Sequence, residues 1–155
     1  MKNTPESIAL FLAGKRIAVA GVSRDKHQAA NAILERLSET GHEVFAINPN
    51  ASHVAGRNAY PDLAAIPGDL DGVVIATHPK IALDIVRQCE ELGVKRVWFH
   101  RSFGAGSVSE DAVHACRSAG IDAIVGGCPL MYSGRVDVAH RCFRWWLERK
   151  GRITK

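Results

Sequence analysis

The sequence has little thiol and none of it in pairs. Its four cysteines, Cys89, Cys116, Cys128 and Cys142, are widely separated, and no C-x-x-C occurs. That spacing argues against a disulfide framework or a zinc site and for a reducing cytosol. Three of the four fall at apolar positions of expected helices, where a thiol acts as a small hydrophobe. Also missing are a G-x-S-x-G nucleophile elbow, an H-E-x-x-H pair, a P-loop lysine motif and paired carboxylates, which weighs against the common hydrolytic and nucleotide-cleaving chemistries. Ile8 to Ala13 is apolar but lacks an obvious cleavage motif. Thr4, Pro5 and Glu6 before it look like a cap, a first-turn proline and a first-turn acid, so this stretch reads as a short helix over 4–13 and no membrane partner is expected.

Basic charge is scarce outside one segment. The chain carries +4 overall, but residues 135–155 hold seven Arg or Lys against Asp137 and Glu148, leaving the remainder at −1. The charge belongs to an appendage, and nucleic acid is a poor candidate partner for the body. With 155 residues, 46% of them hydrophobic, the chain suffices for one well-buried core and is short for two. A single domain over 1–155 is expected.

What is present is a repeated alternation of strand and helix. Arg16 to Ala20 contains the apolar run Ile17–Ala20. The run breaks at Gly21, and Ala30, Ile33, Leu34 and Leu37 then recur at helical spacing up to the stop at Gly41. Further strands are expected at Glu43–Asn48, Val73–Ala76, Val94–Phe99 and Ile121–Val125. Between Ala51 and Gly68, three breakers predict an irregular loop with one helical turn near Leu63. Helices follow His78 and Ser107, the latter with Glu110 at capping-box spacing. A last amphipathic helix spans about 136–149, with Ala139, Cys142, Phe143, Trp146 and Leu147 as its apolar stripe. This pattern predicts an α/β fold: a Rossmann-like, doubly wound parallel sheet of five strands with helices on both faces.

In such a sheet the ligand lies across the carboxyl ends of the strands, where strand order reverses. That selects five loops: Gly21 to Lys26, Asn48 to Asn50, Thr77 to Pro79, His100 to Gly106 and Gly126 to Pro129. The first turn reads G-V-S-R-D-K, without the second glycine of G-x-G-x-x-G. Asn48 and Pro49 stand where an NAD-binding chain carries an acid, so NAD is disfavoured. A helix start after Gly21, with Ser23 and nearby cations, suits a phosphate, although Gly21 also fits a plain tight turn.

The turn V-A-G-V-S-R-D (Val19 to Asp25), Asn48-Pro49, Gly56 with Tyr60-Pro61, Asp71 to Ile75, Gly93 with Val97-Trp98, and Ala119-Gly120 before Cys128-Pro129 together resemble the small CoA-binding Rossmann proteins. These are similar to the N-terminal domain of the succinyl-CoA synthetase alpha subunit. The resemblance covers Gly14 to Pro129 and implies coenzyme A, or an acyl-CoA, as ligand. It implies phosphates at Gly21, Val22, Ser23 and Arg24, the adenosine end at Asn48 and Pro49, and Thr77, His78 and Pro79 along the other side. His100 and Arg101 complete the candidate set from the fourth crevice loop. The phosphohistidine of that synthetase belongs to a second domain, so the resemblance implies binding without catalysis.

Bland alternatives accompany each residue. Asn48-Pro49 is a good turn pair on chemistry alone, His78 could be an exposed turn residue, and Arg101 could be simply solvated. The competing reading is a small enzyme acting on a CoA thioester or nucleotide through His100, His78 or Cys128. His100 has no identifiable carboxylate partner. Cys128, between glycines and a proline at a strand end, is expected to face the crevice, as a reactive thiolate with cationic neighbours or as a structural thiol. For the last helix, Ala139, Cys142, Phe143 and Trp146 are expected to pack on the sheet and Trp145 to be exposed. The alternatives there are closure of the core edge by both tryptophans, or an exposed Trp145 serving a partner surface, stacking on nucleic acid or a homodimer through that helix, the homodimer being preferred to nucleic acid because the rest of the chain is nearly neutral.

Overall fold

The computed structural model describes residues 4–101 and 106–152. Seven strands form one sheet: β1 (Arg16–Ala20), β2 (Glu43–Ile47), β3 (His53–Val54), β4 (Arg57–Tyr60), β5 (Gly72–Ile75), β6 (Arg96–Phe99) and β7 (Asp122–Val125). Their order is β3-β4-β2-β1-β5-β6-β7. All neighbouring pairs are parallel except the β3–β4 hairpin. The sheet winds outward from β1 in both directions, so order reverses between β1 and β5.

The five expected strands are present, and the sheet has two more. Within the stretch expected to be an irregular loop, residues 53–60 instead form the β3–β4 hairpin, whereas 61–68 are irregular with a turn at Leu63, the Ile66 amide donating to the Leu63 carbonyl at 3.2 Å; β4 joins β2 in parallel through Ala46 opposite Ala59 and Ile47 opposite Tyr60. The hairpin turn is Ala55-Gly56, both with positive φ (50° and 70°), as a two-residue turn matching the strand twist requires.

Helices cover both faces because successive strand residues point to opposite sides. Ala18, Ala20, Val73, Ile75, Val97 and Phe99 bury one face against α3 (Pro79–Glu91) and α4 (Glu110–Ser118). Ile17, Val19, Val74, Trp98 and Ile124 bury the other against α1 (Glu6–Leu12) and α2 (Ala29–Glu39). Cys89 and Cys116 lie in the first of these cores, where burial pushes their thiols up to about 12 and about 11. Trp98 is fully buried, edge-on to Phe11 at 5.5 Å, and its Nε1 donates to the Gly126 carbonyl at 3.0 Å.

Two helix ends differ from expectation. The N-cap of α4 is Ser109, whose Oγ accepts from the Ala112 amide, while Ser107 is buried and its amide donates to the His100 carbonyl. The last helix, α5 (Val138–Arg149), is capped by Asp137. It turns differently than its stripe suggests. Leu147 is its buried residue, Trp146 is 40% exposed, and Ala139 and Cys142 are exposed rather than packed on the sheet. Trp145 is exposed, as expected.

Candidate functional site

The carboxyl ends of β1, β2 and β5 open into a cleft of about 530 Å³ at the point where strand order reverses. Gly21, Val22 and Ser23 form one wall, Asn48 and Pro49 another, and Thr77 and His78 a third. Seven residues expected at the site are thereby brought together.

Each turn is held by specific bonds. Gly21 has φ +103°, and a Cβ there would stand 2.3 Å from the Ala76 carbonyl oxygen. The glycine is therefore demanded by the close approach of the β1 and β5 turns, whatever the ligand. Beyond it, the Asn31 side chain accepts from the Ser23 amide at 2.9 Å and donates to the Ser23 carbonyl at 2.7 Å. Ser23 Oγ accepts from the Asp25 amide at 3.0 Å. Asp25 in turn accepts from the His27 amide and the Gln28 side chain, bonds that lower its pKa. Asn48 Nδ2 donates to the Val22 carbonyl at 2.9 Å and Oδ1 accepts from the Asn50 amide at 2.7 Å, which ties the β1 and β2 turns together. His78 is the N-cap of α3, its Nδ1 accepting from the Lys80 amide at 3.3 Å.

Four expected residues stand apart from this cleft. Arg24 lines a neighbouring groove with Lys26, Asn31 and Glu35. Pro79 opens α3 behind His78. His100 follows β6, 9% exposed, its amide donating to the Ile75 carbonyl. Burial, with a smaller contribution from His140, pushes the His100 pKa down to about 4. Arg101 bridges to Gly127, its amide donating to that carbonyl at 2.9 Å. Of the loop His100 to Gly106, residues 102–105 lie outside the described residues.

Cys128 does not face the crevice. It is 1% exposed and packs in the core beneath α1 and α2, because the glycine turn before it carries the chain over the sheet edge onto that face.

A fourth wall, not among the loops expected from the sequence, is made by Pro61, Asp62 and Leu63 after β4 and by Ile81, Asp84 and Gln88 of α3. Gln88 Oε1 accepts from the Leu63 amide at 3.0 Å and pins that segment. The helical spacing of 81, 84 and 88 after His78 was the available signal.

Strand reversal beside β1, helices on both faces and a cleft over the strand ends define a Rossmann-like, doubly wound α/β protein. Residues 15–133 match the CoA binding domain, and the chain belongs to that family. Among curated relatives, it is 30% identical over 83 residues to an ADP-forming acetate–CoA ligase II of Archaeoglobus fulgidus, covering 52% of this chain and 12% of the ligase. It is 32% identical over 88 residues to the alpha subunit of the corresponding Pyrococcus furiosus enzyme, covering 56% of this chain and 19% of the subunit. The chain thus spans a fifth or less of either relative. A solved hypothetical protein of Pyrococcus horikoshii superposes with a TM-score of 0.75 at 29% identity, over 83% of this chain and 88% of that one.

The walls of the cleft differ in chemistry. Val22, Pro49, Pro61, Leu63 and Ile81 offer apolar walls. Helix α2 begins at the cleft beside Gln28 without a side-chain cap on its leading amides, an arrangement favourable to an anion. Arg24 and Lys26 supply cations on the adjoining loop. Asp62 and Asp84 put acid on the opposite wall, so an anion is less favoured on the α3 side than on the α2 side.

Proposed function

We propose that this chain binds CoA or an acyl-CoA in the cleft over β1, β2 and β5, and that it is a binding protein without catalytic activity of its own. The observation that carries this reading is the uncapped start of α2, which opens beside Gly21–Ser23 into a cleft with apolar walls. Membership of the CoA binding domain family supports CoA as the ligand. In this reading Gly21, Val22, Ser23 and Arg24 meet phosphates, Asn48 and Pro49 border the adenosine end, and Thr77, His78 and Pro79 lie on the other side. His100 and Arg101 border the more distant part of the ligand.

Binding rather than catalysis is supported by how the polar groups are engaged. Ser23 Oγ, both ends of the Asn48 amide and His78 Nδ1 each hold a turn or cap. His100 is kept neutral by burial across the physiological range. A cytoplasmic setting suits the reading, since the thiols of Cys89 and Cys116 and that of CoA itself persist under reducing conditions.

Thermal melts test the ligand. At a hundredfold excess over Kd, CoA should add about 2.7 kcal/mol of stability and raise the melting temperature by several degrees, with a much smaller shift for NAD. Equal shifts for both, or none for CoA, would refute the assignment. Incubation with acetyl-CoA should leave the thioester intact by chromatography; protein-dependent turnover would refute the non-catalytic part.

A further inference from the structure

The crevice is open on one side of the switch point and closed on the other. At the ends of β1 and β5, Gly21, Ala76 and Thr77 are half-buried and line the cleft. At the ends of β6 and β7, His100, Gly126 and Gly127 are buried. What lies against Gly126 is the chain's own C-terminal segment. Gly126 has φ +90°, and a Cβ there would collide with the Arg152 carbonyl oxygen and come within 3.9 Å of the Arg101 side chain.

The segment reaches this place through α5. Arg36 Nη1 donates to the Ser133 and Arg135 carbonyls at 3.0 and 2.8 Å and directs the chain into the helix. Leu147 is the buried residue of α5. Beyond the helix, the Arg152 amide donates back to the Leu147 carbonyl at 3.1 Å through a turn in which Gly151 has φ +64°. His140, 2.6 Å from the Asp137 carboxylate, stands near enough to His100 to oppose its protonation. Helix α5 and this turn lie outside residues 15–133, the part that matches the family.

We infer that the segment from Asp137 to Arg152 is a strap that closes the β6–β7 end of the crevice and sets how much of the ligand is admitted. The inference rests on the CoA reading. The ends of β2, β1 and β5 span about 10 Å at the usual spacing of neighbouring strands, which suits a nucleotide. The pantetheine arm that carries the thiol continues beyond it, and the space over β7 is where Arg152 lies. With the strap down, the protein holds the nucleotide end alone; with the strap lifted, it takes the arm as well. Little holds the strap down, since one buried leucine anchors a helix of 12 residues. A bound arm favours the lifted state by as much as it binds that state better.

Calorimetric titration with CoA and with adenosine 3′,5′-bisphosphate, which keeps the nucleotide end without the arm, tests the inference on two variants. Leu147→Ser removes the anchor and Gly126→Ala pushes Arg152 away; neither residue lines the cleft over β1, β2 and β5. Each variant should bind CoA about fivefold or more tightly than the wild type, because apparent affinity grows with the fraction of protein already open, and should bind the bisphosphate as the wild type does. Hydrogen exchange reads the same motion in the wild type: saturating CoA should speed exchange of the amides of 138–152, and the bisphosphate should not. Unchanged CoA affinity in folded variants, equal gains for both ligands, or slower exchange over 138–152 with CoA would each overturn the strap. Any of those results with both ligands bound leaves the CoA reading standing, whereas a wild type that binds neither ligand overturns both.

Discussion

Asn31 grips Ser23 from both sides, accepting its amide proton at 2.9 Å and donating to its carbonyl at 2.7 Å. A side-chain amide thus takes the place a neighbouring strand would fill, and α2 sets the shape of the loop that precedes it. Asn31 is 8% exposed, so truncation strands two backbone groups in a poorly hydrated place. Asn31→Ala should lose about 1–3 kcal/mol in urea unfolding and weaken CoA in calorimetric titration. Unchanged stability would mean that the loop holds its form without the clamp.

Arg24 stands on the same loop, lining the adjacent groove with Lys26. If it reaches the phosphates, Arg24→Ala should reduce CoA affinity by about tenfold or more, the loss of a charge-assisted contact worth on the order of 1.5–3 kcal/mol. Because Arg24 is exposed in the free protein, the melting temperature without ligand should stay nearly constant. Unaltered affinity would move the phosphates to another loop.

His100 makes stability depend on pH in a defined window. Burial, then the nearby His140, lowers its pKa in the folded protein from 6.5 to about 4, so the unfolded chain takes up its proton first. The contribution of the neutral imidazole is therefore complete above about pH 6.5 and is lost as pH falls toward 4, on the order of 3 kcal/mol in all. His100→Gln should flatten the stability profile between these values, measured by denaturant unfolding at successive pH. A variant with the wild-type slope would assign the acid sensitivity to other groups.

The parallel core was legible because its strands are continuous apolar runs ended by turn residues. Ile17–Ala20 and Val44–Ile47 announce themselves in this way, and Arg16–Ala20 is found with the bounds expected. The β3–β4 hairpin was not legible. Arg57–Tyr60 has neither an apolar run nor β-branched residues, and it becomes a strand because β2 offers it a ladder; the positive φ at Ala55 is supplied by a residue that rarely adopts it. The site divided along the same line. Gly21, Asn48 and His78 could be placed from their turns, whereas the wall at Pro61–Leu63 depends on the long-range bond from Leu63 to Gln88. Cys128 and α5 were misjudged for a related reason: local sequence gives a residue's neighbours along the chain, and the face it meets is chosen by where the β7 turn sends the chain.

The hairpin also bears on how this protein behaves when crowded. It gives one margin of the sheet to β3, a strand of only His53 and Val54, tied back to β4 by a turn. An unpaired margin is a template on which another chain can add its own strand, and the risk grows with the length of flat backbone on offer. Two residues present too few free amides and carbonyls to register an incoming strand. By ending the ladder on its β2 side so abruptly, the hairpin guards that margin against fibril growth while leaving the neighbouring cleft open.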